Sequence, residues 1–439
     1  MERKGGTTIR TSFYNLLRSD GAINLAGLIF ASLPPLLVIP ILSRLFSPSV
    51  FGLFGTAFAA ASIAMIFMTG RYETAIVVPK DDRVAASIAL SGALVATASA
   101  LGGIITALIA NYIIDGIQLY LAFATIGMAY LGAISQIAVN SAVRVGNFRA
   151  LALGRSIGAT AQAALSVGAG TLELGATGLL AAFSLSYLLT ASFLFASLAP
   201  RFREMVTSLT TLDIKAAAVT YRKYPLFNVP SEIANSLANH LPVLFFTSAF
   251  GPAAAGYLTM FNRVWAGSAI ISKGVGEIFR YRAAAEMHRT GSFSSTFIKT
   301  AAPLSVVAAL SAFVLVVSGP GIFEFLLGSA WRHAGEYAQI LAPFVAIQLV
   351  ASTMSSAFYV SERLRPMMMW QFGLLLAQIF SLWIGTASGV PRNALMLLAA
   401  SGFIMYGAYL LLSYCVASAP AESARAVRRS PPSASSKEN

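Results

Sequence analysis

Long apolar runs alternate with short polar segments along nearly the whole chain, and the runs have the length of a bilayer crossing. A helix needs about 20 consecutive, mostly apolar residues to span the hydrocarbon core. Twelve runs qualify: 21–42, 51–69, 87–110, 119–139, 151–170, 176–198, 228–250, 256–278, 301–327, 338–360, 367–385 and 395–416. The pattern predicts an all-α polytopic membrane protein with twelve transmembrane helices. The fifth run, "LGRSIGATAQAALSVGAG", is rich in small and polar residues and carries Arg155, the composition of a helix packed against protein and not lipid. The first run is too long for a signal peptide and lacks its small-residue cleavage pattern, so it is expected to stay as an anchor.

The pattern also repeats. "LFSPSVFGLF" from Leu45 returns 204 positions later as "AFGPAAAGYL" from Ala249, with Phe46, Pro48 and Gly52 matched by Phe250, Pro252 and Gly256. The same offset places Asn24 on Asn228, Ser32 on Ser236, Leu33 on Leu237 and Leu37 on Leu241. Six runs separate the copies, an even number, so the halves enter the membrane in the same direction as parallel repeats. The expected organisation is a short N-terminal segment (1–20), an N-lobe of six helices (21–198), a basic linker (199–227), a C-lobe of six helices (228–416) and a Ser/Pro-rich tail (417–439), with the lobes facing a central cavity. Pro34, Pro35 and Pro40 break the first helix inside the membrane, which is tolerated only against protein or a wet cavity.

Composition narrows the class without changing it. With 57% hydrophobic and 11% charged residues, the chain is no ordinary soluble domain, whose charged fraction is about a quarter. Its net charge of +13 would point to nucleic acid in a soluble protein, but location explains it here. Counted together with Arg155 and Lys273, which lie near the inner ends of their runs, the polar segments on the N-terminal side of the membrane hold 26 of the 30 basic residues and the opposite segments three. By the positive-inside rule both termini are cytoplasmic, and the basic inner loops face anionic membrane lipids. Cys415 stands alone, so no disulfide or zinc cluster is expected.

The candidate functional residues are the ionisable ones at membrane depth, each of which costs about 2.5 to 3.5 kcal/mol on insertion scales. Arg263 lies roughly 10 Å below the outer end of the eighth run, and His240 in the seventh is at similar depth, so the two could line one pocket. A guanidinium suits phosphate or diphosphate; the plain alternative is a snorkelling or structurally paired arginine. His240 is either a pocket residue or a hydrogen-bonded interior histidine. Glu232 is either an acidic residue in a helix's first turn or a proton or cation site. Lys273 either pairs with Glu277 four residues on or faces the cavity. Arg44 and Arg71 close helix ends, where most arginines mark the boundary. The sequence holds no nucleotide-binding loop, no zinc-protease motif and no aspartate-rich pair, so a pump or an intramembrane enzyme is not expected, nor is any cofactor.

Four stretches, "LSRLFSPSVFGLF", "GRYETAIVVPKDD", "YPLFNVPSEIANSLANHLPVLFFTSAFGPAAAGYL" and "WRHAGEYAQILAP", resemble the oligosaccharide flippases of bacterial polysaccharide biosynthesis, in the multidrug/oligosaccharidyl-lipid/polysaccharide superfamily. The resemblance runs from about residue 20 to 385. It implies an inner-membrane protein that moves an undecaprenyl-diphosphate-linked oligosaccharide across the membrane by alternating access, in company with polysaccharide assembly enzymes. It also implies a cationic cavity between lobes, carried onto Arg263 first and onto Arg44 and Arg71 less firmly, since Arg44 maps on Ser248 in the second half. The alternative is a cation-coupled exporter of small molecules on the same architecture, which a cavity with Glu232 as its acid fits poorly. A membrane glycosyltransferase would need large outer loops, and these are short.

Overall fold

In lipid every backbone polar group must be paired within the segment, so the apolar runs are constrained to be helical and to break only where protein replaces lipid. The computed structural model describes residues 20–113, 118–207, 209–361 and 363–419. Every one of the twelve runs coincides with one helix or with two in succession, and there is no strand among the described residues. The first run is split into α1 (Asp20–Leu37) and α2 (Ile39–Leu45). Pro34 and Pro35 lie inside α1 and Pro40 opens α2, and prolines lack the N–H that a continuous ladder requires. There follow α3 (Pro48–Thr69), the single turn α4 (Tyr72–Ala75), α5 (Asp82–Ile113), α6 (Leu119–Val145), α7 (Phe148–Thr171) and α8 (Gly175–Thr207).

The linker region carries α9 (Thr211–Thr220), whose start is closed by a reciprocal Thr210/Asp213 capping box. After a π-helical turn come α10 (Val229–Phe250), α11 (Pro252–Trp265), α12 (Ser268–Thr290), α13 (Ser294–Leu327), α14 (Arg332–Thr353), α15 (Ser356–Val360), α16 (Leu364–Ala387) and α17 (Pro391–Ser418). Eight helical segments among the described residues are long and apolar enough to cross a membrane. The first and eighth runs are broken into shorter helices, and α7 and α10 carry the polar and small residues that lower their hydropathy. The chain is therefore a multi-pass, all-helical membrane protein, and twelve spans remain the expectation of the sequence. All but the last residue of the segment 1–20, the side chain of Asn24 and the tail from 420 onward lie outside the described residues.

By contact the chain gathers into two units, Met1–Gly267 with Phe323–Ala334, and Ser268–Ile322 with Gly335–Asn439. In the first, α7 packs between α8 and α1, which explains its composition. A methyl added at Gly27 would meet Ala152, and one at Gly158 would meet Thr190, so small residues let the backbones approach.

The first unit also holds α10 and α11, and there the repeated motifs meet. A Cβ built on Gly52 would run into the Pro252 carbonyl, and one on Gly256 into the Pro48 carbonyl. Gly55 faces Thr259, again 204 positions away, and the Thr56 and Thr247 hydroxyls meet at 2.5 Å. Beside the crossing, buried Trp331 donates its indole N–H to the Ser43 carbonyl at 2.7 Å and stands edge-on to Phe51.

The second unit is closed by small and aromatic contacts of its own. Ser272 on α12 bonds Thr353 on α14 at 3.0 Å, Gly335 meets the Gly319 backbone, and Trp370 packs on Tyr406 and Tyr409.

Candidate functional site

Arg263 stands in the last turn of α11, where the crossing with α3 carries it to an aromatic wall. Its guanidinium carbon lies 5.6 Å from the Phe51 ring centre, 5.4 Å from Phe54 and 5.6 Å from Phe183. Phe51 and Phe54 come from one face of α3 and Phe183 from α8. Aromatic faces stabilise a cation by about 0.5 to 2 kcal/mol each, depending on desolvation, but they accept none of its N–H donors well. Both Nη atoms are buried and lack a hydrogen-bond partner among the described residues. The cation is thus held electrostatically with its directional bonding capacity unused.

His240 belongs to the same aromatic cluster by a different edge. Phe58, one turn beyond Phe54, packs on Phe183 at 5.4 Å and on the His240 ring at 6.1 Å. Arg263 and His240 therefore border one set of rings, without a hydrogen bond between them. The three cage residues were not singled out in the sequence, although Phe51, Phe54 and Phe58 follow the spacing of a helix face.

A second cluster forms where α3 ends. Gly70 and Arg71 both adopt left-handed backbone, φ 53° and 59°. For Arg71 this conformation costs about 1 to 2 kcal/mol, and it turns the chain sharply into α4. Arg71 Nη1 meets Glu73 Oε1 at 3.2 Å, and Nη2 meets Glu232 Oε1, from the first turn of α10, at 3.4 Å. Glu73 is almost wholly buried, and its Oε2 has no partner among the described residues. Burial pushes its carboxyl above the usual range against the opposing pull of a Thr69 hydrogen bond and the Arg71 charge. Glu232 is thus tied to Arg71 and is not the lone acid that the sequence presented. Glu73 went unnoticed because a loop carboxylate gives no sign in sequence of being buried. Among the described residues no three His, Cys, Asp or Glu side chains gather to hold a metal.

This arrangement of helices has known counterparts. A structure described as the inward-facing conformation of a multidrug resistance MATE family transporter of the MOP superfamily superposes with a TM-score of 0.58 at 14% identity, covering 94% of this chain and 96% of that one. The crystal structure of a MATE protein in complex with MaD3S gives 0.53 at 13%, covering 90% and 94%. The fold is that of the MATE transporters. No family model matches the sequence, and no curated protein does. The MATE likeness is one of fold, so each residue's role has to rest on this chain's own geometry.

Arg44 is exposed at the end of α2 and forms no ion pair among the described residues. Lys273 is exposed on α12, in the second unit, and the pair expected with Glu277 does not form. The physical reason is ordinary: an exposed i,i+4 pair is worth only about 0.3 to 0.5 kcal/mol, too little to fix two long side chains.

Proposed function

We propose that the chain moves a polyprenyl-diphosphate-linked oligosaccharide from the cytoplasmic to the outer leaflet of a bacterial inner membrane by alternating access, for surface polysaccharide assembly, with both termini cytoplasmic. The observation that carries this reading is Arg263. A charge that cannot be lost, buried with both Nη atoms unbonded, is a site in want of acceptors. A diphosphate supplies them in the geometry a guanidinium fork matches. Phe51, Phe54 and Phe183 hold the cation in the meantime, and a MATE-type fold is consistent with a carrier. The polyprenyl tail stays in lipid while the sugars pass polar side chains.

One observation favours a second reading, cation-coupled export of a small molecule: the buried Glu73 carboxyl with its free Oε2. Two carboxylates share Arg71 there, leaving one negative charge, the sign a cation would need.

The test is lipid mass spectrometry with leaflet assignment in cells lacking the gene. We expect the lipid-linked oligosaccharide to accumulate in the cytoplasmic leaflet, to be cleared by the intact gene, and to persist with Arg263→Ala at normal protein level. Arg263→Lys should restore transport in part, since it keeps charge and loses the fork. A normal lipid profile in a strain without a second flippase would overturn the reading in favour of export.

A further inference from the structure

One face of α10 carries polar side chains that its counterpart in the repeat lacks. Glu232, Asn235 and Asn239 follow one another at i, i+3 and i+7, within about 60° of arc and over roughly 10 Å of helix axis. The 204-residue offset sets them against Leu28, Ala31 and Pro35 of α1, so the shared architecture does not require polar groups there. Asn228, by contrast, matches Asn24 and belongs to the pattern common to both halves. Asn239 is exposed and Asn235 and Glu232 are partly so, whereas Ala234 and Ala238 on another face are buried. Beyond the arc the helix turns apolar, with "LPVLFF" at 241–246.

The hydrogen-bonding capacity of the arc can be counted. Asn239 gives an N–H to the Asn235 backbone carbonyl at 2.9 Å, and its Nδ2 lies 3.5 Å from Asn235 Oδ1. A carboxamide can donate two hydrogen bonds and accept two, so most of the pair's capacity stays open on the exposed face. Turned to lipid, an unmet amide would cost about 1 to 3 kcal/mol, so the arc is suited to water and to a polar ligand. Its two ends are marked by charge. Asn239 precedes His240, whose ring packs on Phe58, and Phe58 in turn packs on Phe183 of the Arg263 cage. At the inner end Glu232 and Glu73 share Arg71.

We propose that this arc is a track for uncharged sugar units, with the Asn235 and Asn239 carboxamides on their vicinal hydroxyls. Two adjacent hydroxyls offer a donor and an acceptor side by side, the complement of a carboxamide edge. The two carboxylates at the inner end repel an acidic sugar, since like charges brought together are costly. The order of groups suits one elongated molecule, with its phosphates at Arg263 and its sugars following along α10 toward Arg71. The inference names a sugar class and the residues that meet it for the proposed flippase, and to that extent rests on that reading.

The experiment is calorimetric titration of purified protein in detergent with maltotriose, and with trigalacturonate as the acidic control of the same length. Saturable maltotriose binding is expected, with trigalacturonate about tenfold weaker or worse. Asn239→Ala and Asn235→Ala should each weaken maltotriose by about fivefold, and Asn239→Gln, which keeps the carboxamide, by no more than about twofold. The two positions are tested separately, so a variant that fails to fold leaves the other to decide. The proposal is overturned by no saturable maltotriose binding to the wild type, by equal affinity for both sugars, or by unchanged maltotriose affinity in a folded alanine variant. Failed binding alongside intact lipid flipping removes the track alone, and Asn239-dependent binding in a protein that flips no lipid removes the flippase alone.

Discussion

Gly52 and Gly256 lie 204 positions apart in the chain and touch through their backbones. A Cβ added to Gly52 would sit 3.0 Å from the Gly256 nitrogen, and one added to Gly256 would sit 3.1 Å from the Gly52 nitrogen. The relation is reciprocal, and it extends to Gly55 against Thr259. Equivalent positions of an internal repeat face each other only about a local twofold axis, so α3 and α11 cross as symmetric partners. The motif is repeated because each copy is the other's surface.

The alternating access proposed above would require such a crossing to part. A cysteine pair at Gly55 and Thr259, with Cys415 replaced by serine, tests this, because a Cβ at position 55 lies 3.0 Å from the Thr259 Cβ. That is close to the roughly 3.5 Å lower limit for disulfides, so a small helix shift is enough. Oxidation should link α3 to α11 and stop transport, and a reductant should restore it. Full transport with the bridge intact would show that these helices stay together throughout the cycle.

The cage around Arg263 should have a measurable coupling energy. In a double-mutant cycle of Phe54→Leu and Arg263→Met, followed by unfolding in detergent, the interaction term should be about 1 kcal/mol in favour of the native pair. A term indistinguishable from zero would mean that the rings merely happen to surround the cation.

Glu73 sets a pH dependence. Its carboxyl lies above its ordinary value of 4.5 because burial disfavours the charge more than Thr69 and Arg71 favour it, with Glu232 adding repulsion. The folded state therefore holds the proton more tightly than the unfolded one. Glu73 contributes its stability below pH about 4.5 and loses it as pH rises through the higher folded value. Glu73→Gln, which stays neutral, should raise the unfolding temperature at pH 7 to 8, with the gain shrinking toward pH 4.5. A gain independent of pH would place the effect elsewhere.

Trp331 joins packing to a hydrogen bond. It is fully buried, and its Nε1–H reaches the Ser43 carbonyl at 2.7 Å. Trp331→Phe removes the donor and part of the ring, and thermal unfolding should register a loss of about 2 to 4 kcal/mol. A loss below about 1 kcal/mol would mean that water or a shifted neighbour satisfies Ser43.

Much of the fold was legible because lipid enforces one rule on every residue in it. The twelve runs are all helical, the small residues of the fifth run line an interior face, and the proline-rich first run breaks where proline forbids continuation. Arg263 was legible for the same reason, since a charge inside an apolar run stands out. Its cage was not, because Phe51 and Phe54 look like lipid-facing residues until α11 is known to cross α3. The Arg71 cluster was half legible: Glu232 showed in the sequence, whereas Glu73 needed the left-handed turn at Arg71 to be carried inside.

By itself the sequence determined that the chain is a helical membrane protein built on an internal repeat, because hydrophobic length and composition are local properties that solvent reads directly. Tertiary structure alone decided which charges are paired, which are caged and which are idle. Arg71, Arg263 and Lys273 are alike as symbols and differ as groups: one is shared by two carboxylates, one is enclosed by three rings, one faces outward. The free energy of a charge depends on what other segments bring within a few ångströms of it, and no local pattern along the chain records that.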